Sequence, residues 1–171
     1  AAPSVRLCAE LENVKLLWVP DGPCDLCAHH RVIEFLGGVK RVAETYSYVT
    51  YFNAGIRGPF QHADDPEWID VFAMSGHSEW TSASKAVLVG PAASCELSIH
   101  LQSYAVGFPT SILPFVGGFL QLSCAGGKDH CIGRGEVAIG RTAMTTHTAA
   151  VHVLSRNLTI HSMDDVAQYC A

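Results

Sequence analysis

Short apolar runs alternate with turn residues along the first half of the chain, a pattern typical of a layered α/β domain. Residues 14–19 form an apolar run of strand length, which a cluster of Pro, Asp and Gly ends at 20–23. Apolar positions then recur at helical spacing over 24–36, and the pair Gly37-Gly38 ends this predicted helix. Residues 39–52 are rich in Val, Thr, Tyr and Phe, which favours a strand in at least part of the range.

A loop and one more strand are predicted for the rest of this half. Residues 53–66 hold the Gly, Pro and Asp residues typical of a loop, and 68–74 form another apolar run that Ser75-Gly76 ends. The order strand, helix, strand, loop, strand predicts an α/β layered domain with at least one parallel pair of strands.

The second half of the chain is predicted to contain three strands and two helices. The strands are expected at 86–89, 116–122 and 132–139, with a hairpin turn at 126–129 before the last of them. The helices are expected at 142–154 and 163–169. Ser162 is the expected N-cap of the second helix. Asp164 and Asp165 lie in its first turn, where their negative charges interact favourably with the positive end of the helix dipole.

Residues 97–127 contain no Asp, Glu, Lys or Arg. Their central part, 104–122, is long enough to cross a bilayer, but its Gly and Pro residues interrupt helices. We therefore favour a loop that leads into a buried strand. Contact with a membrane through 97–127 is the alternative.

Composition and charge argue against two classes of protein, disordered chains and nucleic-acid-binding proteins. Hydrophobic residues make up 49% of the chain and charged residues 16%, which argues against intrinsic disorder. The 11 Lys and Arg residues against 16 Asp and Glu residues leave no basic excess for binding nucleic acid. The 171 residues fit a single domain. The low charge fraction predicts a surface that other molecules cover, in an oligomer or a larger complex.

The spacing of the cysteines carries the clearest chemical signal. The chain has seven: Cys8, Cys24, Cys27, Cys95, Cys124, Cys131 and Cys170. An odd number spread over a long chain argues against a small disulfide scaffold, and Cys24-x-x-Cys27 predicts metal or redox chemistry in a reducing compartment. We therefore expect an intracellular location, cytoplasmic or mitochondrial. Cys95, Cys124 and Cys170 are expected to be ordinary buried thiols.

Cys24 and Cys27 fall in the first turn of the predicted helix, where two thiolates can share a tetrahedral zinc ion. The helix N-terminus favours the thiolate form of a cysteine. Zinc deaminases hold their metal through His or Cys together with the two cysteines of P-C-x-x-C, and a Glu that is not a ligand carries protons.

Residues 17–28 (LWVPDGPCDLCA), followed by Val32 and Glu34-Phe35-Leu36, resemble the second zinc motif of the cytidine deaminase superfamily. The likeness is greatest to the polynucleotide-editing branch, although one extra residue separates Cys27 from Val32. The resemblance implies a single domain over 1–171 with a three-layer α/β/α fold, a mixed sheet and bound zinc. It also implies hydrolytic deamination of a cytosine base, presented by a small nucleoside or a nucleic acid.

The first zinc motif of that family has two candidate positions. If Cys8-Ala9-Glu10 is the motif, the resemblance implies Cys8 as the third ligand and Glu10 as the proton shuttle for the zinc-bound water. Only residues 11–22 separate Glu10 from Pro23, which is too short for a typical helix and strand. His147 lies where a second copy would place its ligand, with Ala149 in the Glu position. This second possibility divides the chain into a zinc-motif half, 1–82, and a degenerate half without a proton shuttle, 83–171.

Three other functions remain open from the sequence. Asp21-Gly22-Pro23-Cys24-Asp25-Leu26-Cys27 is similar to the signature of small thioredoxin-fold oxidoreductases of the DCC type, with Cys24 attacking and Cys27 resolving. A closed structural zinc site would combine the pair with His130 and Cys131, or with His29 or His30. The third is a non-catalytic subunit of a larger assembly, mitochondrial or membrane-associated, that has protein partners.

Overall fold

The computed structural model describes residues 14–20, 22–53, 70–72, 86–146 and 148–170. Its helices are α1 (Asp25–Phe35), α2 (Gly38–Thr45), α3 (Leu113–Leu122), α4 (Lys128–Cys131), α5 (Val137–Thr145) and α6 (Met163–Tyr169). Its strands are β1 (Tyr48–Phe52), β2 (Ala86–Gly90), β3 (Ala93–Ser94), β4 (His100–Leu101), β5 (Ala105–Pro109), β6 (Ala149–Val153) and β7 (Leu158–Ile160). A π-helical segment, Ile132–Glu136, joins α4 to α5.

Five of these strands form one mixed sheet in the order β1-β5-β2-β6-β7. The pair β2 and β6 is parallel, with Leu88 opposite Val151, and the other neighbours are antiparallel. Strands β3 and β4 pair separately as a short antiparallel ribbon. The expected α/β class with a mixed sheet and a parallel pair is therefore confirmed, although the parallel pair lies in the second half of the chain.

The two faces of the sheet are covered differently. Leu88 and Val151 belong to the large core that also contains buried residues of α1, α3 and α5. Val87 and Val89 point the other way and pack in a smaller cluster with Phe72, from the helical residues 70–72. Alternate residues of a strand face opposite sides, so this division follows directly from the sequence of β2.

Two predicted helices and two predicted strands are confirmed, one of the strands being β1, which occupies part of the range 39–52. Helix α1 begins after Cys24, and Gly37 follows it in the left-handed conformation (φ 101°), which lets the chain turn into α2. Strand β2 and helix α6 match their predictions. In α6, the Ser162 hydroxyl accepts a hydrogen bond from Asp165 N, and the Asp165 carboxylate accepts one from Ser162 N in return.

Five predictions of secondary structure are wrong. Residues 14–19 are not a strand, and Trp18 among them is 84% exposed. Residues 70–72, inside the strand expected at 68–74, are helical. The ranges 116–122 and 132–139 lie in helices. The helix expected at 142–154 ends at Thr145, and strand β6 follows. An apolar run of this length fits either element, and packing decides between them.

The uncharged stretch 97–127 contains β4, β5 and α3. Leu113, Val116, Gly117 and Leu120 are the buried positions of α3, and they recur at helical spacing on one face. None of the helices in the described ranges is long and apolar enough to span a bilayer. Contact of 97–127 with a membrane surface stays a prediction.

Candidate functional site

The predicted Cys24-x-x-Cys27 pair stands at the start of α1. Cys24 is the N-cap residue with an extended backbone, and Cys27 lies in the first turn. Three residues apart, the two side chains lie on neighbouring positions of the same helical turn. Cys27 is 1% exposed, whereas Cys24 is half-buried. Helix α1 therefore contributes one half-buried and one buried cysteine.

The segment after α3 forms the opposite wall of the site. Cys124 lies two residues beyond the end of α3 and is half-buried, and its Sγ is 3.7 Å from the carbonyl oxygen of Cys27. Cys131 ends α4 and is 2% exposed. This wall also contributes one half-buried and one buried cysteine.

Two disulfides join these walls. Cys24 is bonded to Cys131, with Cα atoms 6.4 Å apart, and Cys27 is bonded to Cys124, with Cα atoms 4.8 Å apart. We call these four residues the four-cysteine cluster. Each disulfide in the cluster links a half-buried cysteine to a buried one, so Cys24 and Cys124 are the more exposed residues of their pairs.

A third disulfide lies elsewhere and changes the interpretation of the cysteines. Cys95, just after β3, is bonded to Cys170, just after α6, and both residues are exposed. The expectation that Cys95, Cys124 and Cys170 are buried thiols is therefore wrong. The argument against a disulfide framework is also wrong, because six of the seven cysteines are paired. The odd cysteine, Cys8, lies outside the described residues.

The disulfides bear on the predicted zinc ligands. Zinc binds cysteine as a thiolate, and a sulfur in a disulfide carries no such charge. In the oxidised chain, then, Cys24 and Cys27 have no thiolate to offer a metal. Within the described ranges, no group of three or more His, Cys, Asp or Glu residues is arranged to hold a metal ion. Zinc ligation by Cys24 and Cys27 stays a prediction for the reduced chain.

The other predicted site residues fall into two groups. Cys8, Glu10 and His147 lie outside the described residues. Cys131 does meet the Cys24-x-x-Cys27 pair, as the structural-zinc alternative requires. Cys124 also does so, and sequence reasoning missed it. The sequence feature that could have indicated Cys124 is the second short spacing between cysteines, from Cys124 to Cys131, in a segment that contains Gly126-Gly127.

A half-buried histidine and a buried tyrosine lie on the side of α1 that faces the sheet. The ring of His29 stacks on the ring of Tyr51 in β1, with centroids 4.4 Å apart and planes within 8°. Burial lowers the pKa of His29, and the Asp25 carboxylate opposes that shift. Neither His29 Nε2 nor the Tyr51 hydroxyl has a hydrogen-bond partner in the part of the chain that the structure describes.

Beyond Tyr51, the core contains a small cavity of about 30 Å³ with almost entirely apolar walls. Its polar margin is formed by Ser103 and Glu136, and the Glu136 carboxylate accepts a hydrogen bond of 2.6 Å from the Ser103 backbone N–H. A space of this size holds a water molecule or two. The cavity is therefore too small to accept a nucleoside.

Comparison with protein-family models, with curated proteins and with solved structures finds no match to this chain.

Proposed function

We propose that this chain is a thiol–disulfide oxidoreductase whose active centre is the four-cysteine cluster. The observation that carries the proposal is the position of Cys24. Cys24 is a half-buried residue with a disulfide to the buried Cys131, and it stands at the N-terminus of an 11-residue helix. A helix N-terminus stabilises a thiolate, and a stabilised thiolate is a good leaving group in disulfide exchange.

The reaction with a substrate dithiol has two balanced steps. A substrate thiolate attacks Cys24 Sγ, the bond between Cys24 and Cys131 breaks, and Cys131 leaves with the electron pair and takes up a proton. The second substrate thiolate then attacks the substrate sulfur of this mixed disulfide and releases Cys24 as a thiolate. The substrate is oxidised to a disulfide by two electrons, and the cysteine pair is reduced.

Reactivity of Cys24 tests this proposal. Cys131→Ser leaves Cys24 without its partner, and the matched control Cys170→Ser leaves Cys95 without its partner. We expect iodoacetamide to alkylate Cys24 about tenfold faster than Cys95 at about pH 6.5, because only Cys24 lies at a helix N-terminus. Peptide mass spectrometry identifies the modified cysteine. Equal alkylation rates at the two cysteines contradict the proposal.

Turnover provides the second test. The intact chain should accelerate oxidation of a reduced dithiol peptide, with glutathione disulfide as the final oxidant, and Cys24→Ser should abolish the acceleration. Cys95→Ser should leave it unchanged. A chain that gives no acceleration is not an oxidoreductase, whatever the reactivity of its thiols.

The non-catalytic subunit is the second candidate. The disulfides would then only hold α1 against the segment from α3 to α4. Large apolar side chains at the surface support this alternative, since Trp18 is 84% exposed and Phe35 is 54% exposed. Failure of the turnover test, together with a stable complex on native mass spectrometry, would favour this alternative and its protein partners.

Cytidine deamination stays a third proposal, restricted to a reduced chain with zinc on Cys24 and Cys27. A mixed sheet with helices on one face and the Phe72 cluster on the other supports a three-layer fold. The test is Glu10→Ala, which should abolish deamination of cytidine and leave the metal bound. Unchanged turnover would exclude Glu10 as the proton shuttle.

The three disulfides also bear on the cellular compartment in which the chain functions. Stable disulfides are typical of oxidising compartments, and catalytic or redox-sensing disulfides also occur transiently in the cytosol. For an oxidoreductase, we propose a compartment that oxidises the cluster at least transiently. Cytoplasmic and mitochondrial locations stay predictions within that condition.

A further inference from the structure

We infer that reduction converts the four-cysteine cluster into a zinc site in which Cys24, Cys27, Cys124 and Cys131 all bind the metal as thiolates. The inference rests on the same cysteines as the proposed function, but it does not require that the chain catalyse disulfide exchange. It differs from the sequence-based zinc predictions in its fourth ligand, Cys124, and in making metal binding depend on the redox state.

The positions of the four residues suit a tetrahedral ion. Zinc–sulfur bonds of about 2.3 Å place the sulfurs of a tetrahedral site about 3.8 Å apart. Sulfurs in a disulfide are about 2 Å apart, so each pair has to open by roughly 2 Å. Rotation about the Cα–Cβ bonds provides that movement. The Cα separations of 6.4 and 4.8 Å already bring the two walls close enough.

The surroundings of the cluster suit a closed site with four protein ligands. Cys27 and Cys131 are almost inaccessible to solvent, and four cysteine ligands fill a tetrahedral zinc site without leaving the open coordination position of a catalytic zinc. Four thiolates around Zn²⁺ carry a net charge of −2. The N-terminus of α1 stabilises negative charge.

Reduction of the cluster and zinc binding are two separate steps. Two molecules of a dithiol reduce the two disulfides, which gives four cysteine thiols and two oxidised reductant molecules. Zinc binding then displaces the four thiol protons. In the reverse direction, two molecules of a small disulfide take the four electrons, re-form the protein disulfides and release Zn²⁺. The cluster thus holds either two disulfides or one metal ion, never both.

Metal titration of the reduced chain is the test. The full chain is reduced with a phosphine, and Co²⁺ and then Zn²⁺ are titrated in competition with a chromophoric chelator. We expect one ion per reduced chain, none per oxidised chain, and a Co²⁺ spectrum whose sulfur charge-transfer intensity corresponds to four thiolates. A reduced, folded chain that binds no metal overturns the inference, and so does a spectrum of only two thiolates.

Two variants identify the fourth ligand. Cys124→Ser removes it and should weaken zinc binding by more than about a hundredfold, since even second-shell changes cost 10–100-fold. Cys124→His supplies another zinc ligand, so the reduced variant should bind zinc through three thiolates and one imidazole, and re-formation of the disulfide between Cys24 and Cys131 should release the ion. Wild-type affinity in Cys124→Ser, or no binding in Cys124→His, contradicts the assignment.

A matched control and a parallel assay separate this inference from the proposed function. The double variant Cys95→Ser/Cys170→Ser removes the third disulfide and should bind zinc as the wild type does. Oxidation of the dithiol peptide is measured on the same preparations without metal. Metal binding without turnover would contradict only the oxidoreductase proposal, and turnover without metal binding would contradict only the zinc site.

Discussion

At the scale of single residues, Tyr51 and Tyr48 of strand β1 place their hydroxyls in different surroundings. Its ring packs between His29 and Phe108, but its hydroxyl has no hydrogen-bond partner among the described residues. Tyr48, three residues earlier, donates a hydrogen bond of 2.9 Å to the Phe72 carbonyl. Two tyrosines of one strand therefore provide a matched pair.

We predict that Tyr51→Phe keeps or raises stability by up to about 1 kcal/mol, because it removes a buried group that makes no hydrogen bond. Tyr48→Phe should lower stability by about 1 kcal/mol, because it removes a hydrogen bond that is made. Urea unfolding of both variants compares the two free energies of unfolding. Equal losses would mean that an ordered water in the neighbouring cavity accepts from the Tyr51 hydroxyl.

His29 makes stability depend on pH. Burial lowers its pKa in the folded chain below the ordinary value of 6.5 that the unfolded chain retains. Below pH 6.5 the unfolded chain therefore binds more protons, and the stability that His29 contributes is lost as the pH falls. Burial lowers the pKa of His152 in the same direction.

We predict that the urea midpoint of the wild type falls between pH 7.5 and 5.5, and that His29→Phe reduces this fall. Phe keeps the stacked ring against Tyr51 and cannot be protonated. His130→Phe is the control, because His130 is exposed on α4. A fall of the same size in wild type and His29→Phe would contradict the role of His29.

At the scale of elements, the π-helical segment packs closely against Ser123, which directly follows α3. A Cβ atom on Gly135 would collide with the Ser123 hydroxyl and lie 2.8 Å from Leu26 Cδ1. Ser123 is fully buried, and its hydroxyl donates to the Phe119 carbonyl. Only glycine allows this close approach.

We predict that Gly135→Ala lowers stability by roughly 1–3 kcal/mol through overpacking. Gly133 lies in the same segment with open space around it, so Gly133→Ala should be neutral or stabilise by about 0.5–1 kcal/mol. Thermal unfolding of both variants provides the comparison. A loss of similar size in Gly133→Ala would assign the effect to the helical segment itself and not to the contact with Ser123.

The elements also show what the sequence could and could not predict. Helices α1 and α6 were predictable because local signals mark their ends: Gly37-Gly38 after α1, and Ser162 with Asp165 at the start of α6. Strand β6 was not, since five consecutive buried residues fit a buried helix as well as a strand. Its partner β2 lies about sixty residues away, and that pairing decides the outcome.

The candidate site was predictable only in part. The spacing of Cys24 and Cys27 at a helix N-terminus indicated the correct place for chemistry. Their partners Cys124 and Cys131 lie 97 and 107 residues further along the chain, and disulfide connectivity does not follow from sequence spacing. The local sequence pattern therefore located the site but did not reveal that its cysteines form disulfides.

At the scale of the whole molecule, the three disulfides close long loops. Cys95 and Cys170 are 75 residues apart, and a bond of that separation restricts the unfolded chain strongly. We predict that the double variant Cys95→Ala/Cys170→Ala lowers the free energy of unfolding by about 2–5 kcal/mol, measured in urea under non-reducing conditions. Unchanged stability in this variant would mean that the pair adds no constraint to the unfolded chain.

The connectivity of these bonds has a further consequence for a chain that is cut. The bond from Cys24 to Cys131 and the bond from Cys95 to Cys170 overlap, so every peptide bond between residues 24 and 170 lies inside at least one covalent ring. A protease that cuts once in this range opens the backbone but releases no fragment. On a gel, such a nicked molecule keeps its mass without reductant and separates into two pieces only after reduction. The nicked molecule would carry one additional N-terminus and one additional C-terminus, while the disulfides kept its two pieces covalently joined.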